Sequence, residues 1–566
     1  MKALFRIRLV PFQGDFPKRS RTRALPWTFS LPLSRVLCLL ALQAVFLVSC
    51  VKREDPNEGL SIFKYNESAG ILTLDPIYAK DLPHIWACNQ LFSSLVAFDE
   101  EMEVVPRVAH SWEISEDGTL YTFHLRRDVR FHCDEAISEG RVVNADDVCY
   151  SFNRVVDKSL NSPGAWIFAS VAHDENGYAF QAVDDSTFQI RLSKPFPPFL
   201  GILSMTYASI VPKEAVEYYG DEFRRHPVGT GPFRFQYWNE GVKLVMRRNP
   251  DYFEFDEKGE RLPYLDAVSI SFLIDRQVAF LEFIKGKFDF MSGIDARYKD
   301  ELLTYDGELR QKYEDKIELI TGPYLNTEYI SFFIDPEDPL GADRSRALRQ
   351  AVSLSIDREK MLRYLRNGIG IPGTGGMIPA GLPGHCDSVG YGYDLKQAQR
   401  LVKENQLEGY TLNLSTTAEY ADIGKFVQSQ VEQVGLKCKM EVIPPATLRS
   451  MRANGSLSFF RASWVADYPD AENYLSLFTT ANFSPVGPNY SHYSNMKFDQ
   501  LYDRAMSSTD DDIREQLYAE MDGLMMEDAP VVVLFYDEVL RFVNKRVKGM
   551  TSNPTNLLDL RRVQIQ

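Results

Sequence analysis

The sequence predicts a multi-lobed α/β protein, and three observations carry that prediction. A chain of 566 residues is longer than one hydrophobic core usually fills. Its 45% hydrophobic and 12% aromatic content supplies the apolar surface that several cores require. Strand-like and helix-like segments alternate with no internal repeat and no low-complexity stretch, as in α/β lobes joined by extended crossings.

The N-terminus differs in kind from the rest. Arg6, Arg8, Lys18, Arg19, Arg21, Arg23 and Arg35 precede an uncharged run, VLCLLALQAVFLV, over residues 36–48. That run is shorter than the roughly 20 residues a membrane-spanning helix needs, and it reads as the apolar region of a signal peptide. It ends in Leu47-Val48-Ser49-Cys50, which resembles the lipobox of bacterial lipoproteins. The expectation is a signal peptide over 1–49, lipidation of Cys50 and a polar tether over 50–59. A buried cysteine after an ordinary signal peptide is the plainer alternative. The basic segment is long, which leaves the true start codon open.

Residues 1–49 hold eight Lys/Arg and one Asp, so the net charge moves from −15 for the whole chain to −22 for the remainder. So acidic a surface argues against nucleic acid and against an anionic membrane face as partners. Beyond Cys50 five cysteines remain: Cys88, Cys133, Cys149, Cys386 and Cys438. None forms a CxxC pair, and an odd number cannot all pair. Cys133 with Cys149 is a candidate disulfide, and buried free thiols are the alternative.

After the tether, SIFKYNESAGILTLDP reads as strand and turn, and Ile85, Cys88, Leu91, Phe92 and Leu95 carry helical spacing. Asp117-Gly118 marks a hairpin turn before the alternating Tyr121, Phe123 and Leu125. ADDVCYSFNRVVD opens with carboxylates and continues with apolar residues three and four apart, an amphipathic helix. TFQIRL, FRFQYW, KLVMRR and VSISFLID are strands, VPKEAVEYYG is a short helix, and VAFLEFIKGKFDFM is helix, turn and strand. The segment LGADRSRALRQAVSLSIDREKMLRYLRNG reads as one long helix, with Leu348, Ala351, Val352, Leu354 and Ser355 on one stripe and Gly368 as C-terminal cap. GYTLNLSTT, IGKFVQSQVEQVG and LKCKMEVIP form a strand-helix-strand unit, and APVVVLFYDEVLRFV reads as a buried strand pair.

Catalytic signatures are missing. There is no HExxH, GxSxG or P-loop, and the eight histidines lack ligand-like spacing. Gly368-Ile-Gly-Ile-Pro-Gly373 satisfies GxGxxG but follows a helix and contains Pro372, so it reads as a loop. Asp174-Glu-Asn-Gly177 lacks the later ligands of a calcium loop. The expectation is no enzyme, no cofactor and no metal. A secreted, acidic, multi-lobed chain of this kind suits a binding protein.

The segment RVAHSWEISEDGTLYTFHLRRDVRFHCDEAISEGRVVNADDVCYSFNR resembles the signature of family 5 solute-binding proteins, the dipeptide and oligopeptide receptors of ABC importers. PVGTGPFRF, RNPDYF, LPYLDAV, NTEYISFFID, SRALRQAVSLSIDREKML and APVVVLFYD extend the likeness across almost all of residues 60–550. The resemblance implies the class II periplasmic-binding-protein-like fold: two α/β lobes with a hinge, plus a small inserted third domain. By that likeness lobe I comprises 60–95, 213–321 and 530–566, the extra domain 96–212, and lobe II 322–529. It also implies a lipid-anchored extracytoplasmic (periplasmic) monomer that captures peptides and delivers them to the permease and ATPase subunits of a transporter.

The stretch FFRASWVADYPDAENYL, residues 459–475, places charge inside an apolar strand. It resembles the oligopeptide receptors' R-A-G-W-x-A-D-Y, which assigns Asp467 to a peptide's α-ammonium, Trp464 to a side-chain pocket and Arg461 to a carboxylate terminus. Ser463 stands where the family often has glycine, and Asn326 and Tyr329 match the binding edge of the second lobe. Plainer roles compete: a turn cap for Asp467, core for Trp464, a structural ion pair for Arg461. Asp470 reads as a helix N-cap. Ser93, Ala471 and a longer loop before ADDV depart from the family pattern, so a non-peptide solute (nickel complex, haem, oligosaccharide or opine) is the second reading and an extracytoplasmic hydrolase a remote third.

Overall fold

The computed structural model describes residues 59–566 apart from 138–139, 294 and 296–297. The signal peptide, Cys50 and the tether up to residue 58 therefore lie outside the described residues. Residues 60–566 form one compact unit.

A single hydrogen-bonded sheet runs through this unit. Its order is Phe233–Asn239, Lys243–Arg248, Ala267–Ser271, Ile62–Asn66, Phe290–Ser292, Val531–Asn544, Ile317–Phe332, Phe459–Val465, Thr411–Thr416 and Lys437–Val442, with Ile371–Pro372 paired onto Val531–Asn544. One outer strand carries a register shift between Phe235 and Tyr237, and the other presents exposed Lys437 and Lys439, both features that discourage edge-to-edge association. The strand-helix-strand unit predicted near residue 420 is present, its strands Thr411–Thr416 and Lys437–Val442 parallel around the helix Ala421–Glu432.

The central pair of strands is unusually long. Ile317–Phe332 has 16 residues and Val531–Asn544 has 14, antiparallel throughout. Their register shifts twice, by one residue where Leu534 is passed over between the pairs Glu328–Phe535 and Tyr329–Val533, and more widely in the middle, where Tyr324, Leu325 and Asn326 of one strand face Asp537 of the other. Side chains change company at this break. One apolar cluster gathers residues 63–272 with Val543 and the C-terminal segment, and a small one joins Phe280, Phe283 and Phe288 to Ile317, Leu540 and Phe542. Two others gather residues 325–536.

A separate four-stranded sheet, Ala109–Ile114, Leu120–Leu125, Thr187–Arg191 and Phe180–Asp184, belongs to the inserted stretch. The predicted alternation places Tyr121, Phe123 and Leu125 in its core. The helix Ala145–Val156 starts with a capping box in which Asn144 and Asp147 satisfy each other's backbone N–H groups. That helix is tied to the first lobe's chain by Arg154, whose Nη1 donates to Asp75 Oδ1 at 2.8 Å in a two-pronged pair that is almost fully buried.

Three expectations are corrected. The predicted long helix is two, Ala342–Ser355 and Arg358–Arg366, because the Asp357 side chain accepts the Lys360 N–H and starts a new helix; the predicted stripe is nevertheless buried. Its cap is also shared: Asn367 takes the left-handed conformation at φ 54° and Gly368 follows at φ 73°. The terminal strand pair is one continuous strand, since YDEV offers no turn residue and both ends are buried. The GxGxxG segment is, as expected, a loop, and its Ile371–Pro372 joins the sheet beside Tyr536 and Phe535. All five cysteines beyond Cys50 are free thiols, so Cys133, which is exposed, does not pair with Cys149.

Removing one member of a buried ion pair leaves an uncompensated charge in a poorly solvated place. Asp75→Ala is expected to lower unfolding stability by about 3–5 kcal/mol in urea titrations, and Asp75→Leu with Arg154→Met to recover most of that loss. Equal stability of Asp75→Ala and the parent would show that water reaches the pair.

Candidate functional site

The strand Phe459–Val465 delivers the charged stretch. On one side it pairs antiparallel with 326–332, Asn326 opposite Val465 and Ile330 opposite Arg461. On the other it meets the strand Thr411–Thr416 only at Phe459 and Phe460. From Arg461 to Val465 that second edge therefore has no strand partner among the described residues.

Alternation sorts the side chains onto two faces. Phe460, Ala462 and Trp464 point toward the apolar cluster that also holds the buried Tyr329. Arg461 and Ser463 share the other face with Asn326 and Glu328 of the neighbouring strand. There Arg461 Nη2 donates to both Glu328 oxygens, at 2.8 and 2.6 Å. The guanidinium lies 3.5 Å from the centroid of the Tyr420 ring, and its Nε is buried without a partner. Asn326 Nδ2 donates to Glu328 Oε1 at 3.3 Å and to Asp537 Oδ2 at 3.4 Å, and Arg366 in turn donates to Asp537 at 2.6 Å. Burial pushes the Glu328 pKa up although Arg461 opposes it. The candidate carboxylate receiver Arg461 is thus already held by an internal carboxylate, which leaves only part of its fork for a ligand.

Asp467 lies past the end of the strand, where Asn473 organises the turn. The Asn473 Oδ1 accepts the Trp464 indole N–H at 2.8 Å and the Asp467 backbone N–H at 3.2 Å. The Asp467 side chain stays exposed. Desolvation nevertheless raises its pKa, while Asn473 opposes the rise. Tyr207, from the inserted stretch, feels both Asp467 and Asp81 and has its phenol pushed up to about 12, mainly by burial. Next in sequence, Tyr468 packs against Trp166 with ring centroids 6.3 Å apart. Asp467 is therefore where residues 459–475 come up against the first part of the chain.

Behind it lies a buried acid. Glu472 receives the hydroxyls of Tyr468 and Tyr502 and is 4% exposed. Asp470, expected as an N-cap, accepts the Glu472 backbone N–H at 2.8 Å and pairs with Arg514 at 3.2 Å. The short helix Glu472–Leu475 itself is capped at Ala471.

The structure brings Arg461, Ser463 and Asn326 onto one face and sets Asp467 beyond them. It places Trp464 half-buried, and Tyr329 wholly in the core at 5% exposed. Sequence reasoning missed Glu328, Tyr420, Asn473, Glu472 and Tyr207. The signal for Glu328 was present, since NTEYISFF carries a lone charge inside an apolar strand, as FFRASWV does.

A family model described as bacterial extracellular solute-binding proteins, family 5 Middle, matches residues 103–485. The dipeptide-binding protein of Escherichia coli strain K12 is 28% identical over 505 residues, 84% of this chain and 89% of its own. The glutathione-binding protein GsiB of Pectobacterium atrosepticum is 28% identical over 501 residues, 86% and 90%. HbpA2 from Haemophilus parasuis superposes with a TM-score of 0.79 at 25% identity, covering 89% of this chain and all of that one. DppA from Helicobacter pylori in complex with the peptide STSA does so with 0.68 at 26%, covering 89% and 98%. The two-lobed class II arrangement is common ground with these structures, and no helix among the described residues is long and apolar enough to cross a membrane.

Burial raises the Glu472 pKa from 4.5 to about 7. The fold accommodates the neutral acid, so its stabilising contribution is complete below pH 4.5 and is lost as pH rises through about 7. Glu472→Gln, which cannot ionise, is expected to remove this part of the pH slope, on the order of 3 kcal/mol between pH 4.5 and 8 in thermal or urea unfolding. An unchanged slope would show that Glu472 is not the group that titrates.

Proposed function

The chain belongs to the bacterial extracellular solute-binding proteins of family 5, and from that premise we propose that it captures peptides beside Asp467 and presents them to an ABC importer. One observation carries the peptide reading. An exposed, partly desolvated carboxylate stands at the end of a strand whose edge, residues 461–465, is unpaired. An extended peptide can lay its backbone along such an edge, an attachment that reads no side chains. Its α-ammonium then meets Asp467 in a charge-assisted hydrogen bond that replaces the water lost on enclosure.

The other residues take supporting places. Ser463, small and on the edge, lets a backbone approach. Trp464, fixed by Asn473, offers one half-buried face to a side chain. The unoccupied part of the Arg461 fork suits a carboxylate terminus, and Asn326 orients Glu328 behind it. Tyr329 supports this wall from the core.

Two lobes close by rotating about the register break at Tyr324–Asn326 and Asp537, where the backbone pairing of the long strands is already interrupted. Lobe I takes residues 60–95, 213–321 and 530–566; the extra domain is 96–212; lobe II takes 322–529. The monomer is held at the extracytoplasmic face of a membrane through a lipid on Cys50 and hands its peptide to the permease, whose ATPase subunits drive uptake. No catalytic step is assigned to it.

Calorimetry with di-, tri- and pentapeptides is the direct test. Peptides with a free amino terminus are expected to bind, Nα-acetylated ones to bind far more weakly, and Asp467→Ala to cost a factor of roughly a hundred or more. If no such peptide binds, and the solute that copurifies with the protein is indifferent to Asp467→Ala, the ligand is not a peptide. For the anchor, Cys50→Ser is expected to abolish labelling by radioactive palmitate and to move the protein from the membrane fraction to the soluble extracytoplasmic one.

A further inference from the structure

A cavity of about 380 Å³ opens at the C-terminal ends of the strands Ile62–Asn66 and Phe290–Ser292. These strands are parallel to one another, and the C-terminal ends of parallel strands are where open α/β sheets place their ligands. The volume is at the lower end of small-molecule sites, the size of a side chain with its water.

Its lining is chemically divided. Trp86, Phe283, Phe288 and Phe290 supply aromatic walls, with Trp86 and Phe290 edge to face at a centroid separation of 5.9 Å. Glu67 supplies a carboxylate that receives the Ala69 backbone N–H at 3.0 Å. Desolvation raises the Glu67 pKa, Asp81 adds to the rise, and Arg276 and His84 oppose it. Those two bases have carboxylates of their own: Arg276 lies 3.6 Å from Asp295, and His84 hydrogen-bonds Asp81. Among the described residues the lining offers the carboxylates Glu67 and Asp295 and the one cation Arg276 beside its aromatic walls.

The helix Leu82–Leu91 that borders it packs against the turn Thr206–Ala208, which carries Tyr207. Leu82 and Pro83, which line the cavity, begin the helix that Asp81 caps. Tyr207 is in the field of both Asp81 and Asp467.

We propose that this cavity selects a cationic side chain of the bound peptide, of lysine or arginine type, with its stem against the Trp86 and Phe290 rings and its charged head at Glu67. The inference rests on the peptide reading above. A lysine stem is apolar and its ammonium is attracted by both an aromatic face and a carboxylate. A purely aliphatic side chain would desolvate Glu67 with nothing in return, and an acidic one would be repelled.

The test is calorimetry on the purified full-length protein with tripeptides that carry lysine, Nε-acetyl-lysine, norleucine or glutamate at each position in turn. At one position lysine is expected to bind about tenfold tighter than norleucine or acetyl-lysine, with glutamate weakest. Glu67→Gln is expected to bring the lysine-to-norleucine ratio near one, whereas Asp467→Ala weakens every peptide without changing that ratio. Peptides that bind with no preference for lysine at any position, or a preference that survives Glu67→Gln, overturn the cationic pocket and leave the peptide reading standing. Absence of binding by every peptide overturns both. The comparison of lysine with acetyl-lysine needs no variant, so a folding defect in Glu67→Gln cannot mask the outcome.

Discussion

The strands Ile317–Phe332 and Val531–Asn544 cannot separate without stripping a row of peptide groups of their partners, and over residues 325–332 the first of them is too buried for water to replace those partners. Every other strand of the large sheet is attached, directly or through neighbours, to one of these two. They cross from one set of apolar clusters to the other, so they hold the halves together as covalent connectors and as a hydrogen-bonded ribbon. The wider of the two register shifts, three residues against one at Asp537, is also where Asn326, Asp537 and Arg366 gather. Polar side chains there satisfy one another where the ladder does not. That local substitution gives a bending point to an otherwise stiff ribbon.

The same ribbon explains why charge is tolerated in the apolar strand 459–465. Arg461 is adjacent, across the register, to Glu328, and each desolvated group has its opposite within hydrogen-bond distance. Such a pair adds little net stability, because desolvation offsets the attraction. What it provides is fixed geometry: a guanidinium clamped by a carboxylate on one side and stacked on Tyr420 on another. Asp467 is the complement of this arrangement. Its backbone is fixed through Asn473 and its carboxylate is exposed yet partly desolvated, with no internal cation paired to it among the described residues.

Much of this was legible before any coordinates. Hairpin, amphipathic helix and strand-helix-strand unit follow from local rules: Asp117-Gly118 at a turn, Asn144 to Asp147 at a helix start, alternation in 120–125. These signals lie within a few residues of where they act. The resemblance located Arg461, Trp464 and Asp467, and the reading of Arg461 as a structural pair competed with the ligand role from the start. What stayed hidden depends on distant pairing. Nothing near Asn473 announces that its side chain will brace a tryptophan nine positions earlier, and Tyr207 lies far from Asp467 in the chain. The continuity of 531–544 was misread because burial at both ends looks like two strands when the chain spans two cores. The break at Asp357 was misread because a helical stripe continues in phase across a residue that nonetheless prefers to cap.

The position of the last long strand has a consequence for how the molecule comes into being. Phe290–Ser292 pairs with Arg541–Val543, so the early-made half of the sheet waits for a partner that the ribosome delivers about 250 residues later, a contact order that makes folding slow. Until that strand emerges, the crossing strand 317–332 lacks its longest partner and neither half is complete. The two halves of the sheet therefore stay unlocked until the strand Val531–Asn544 has been made.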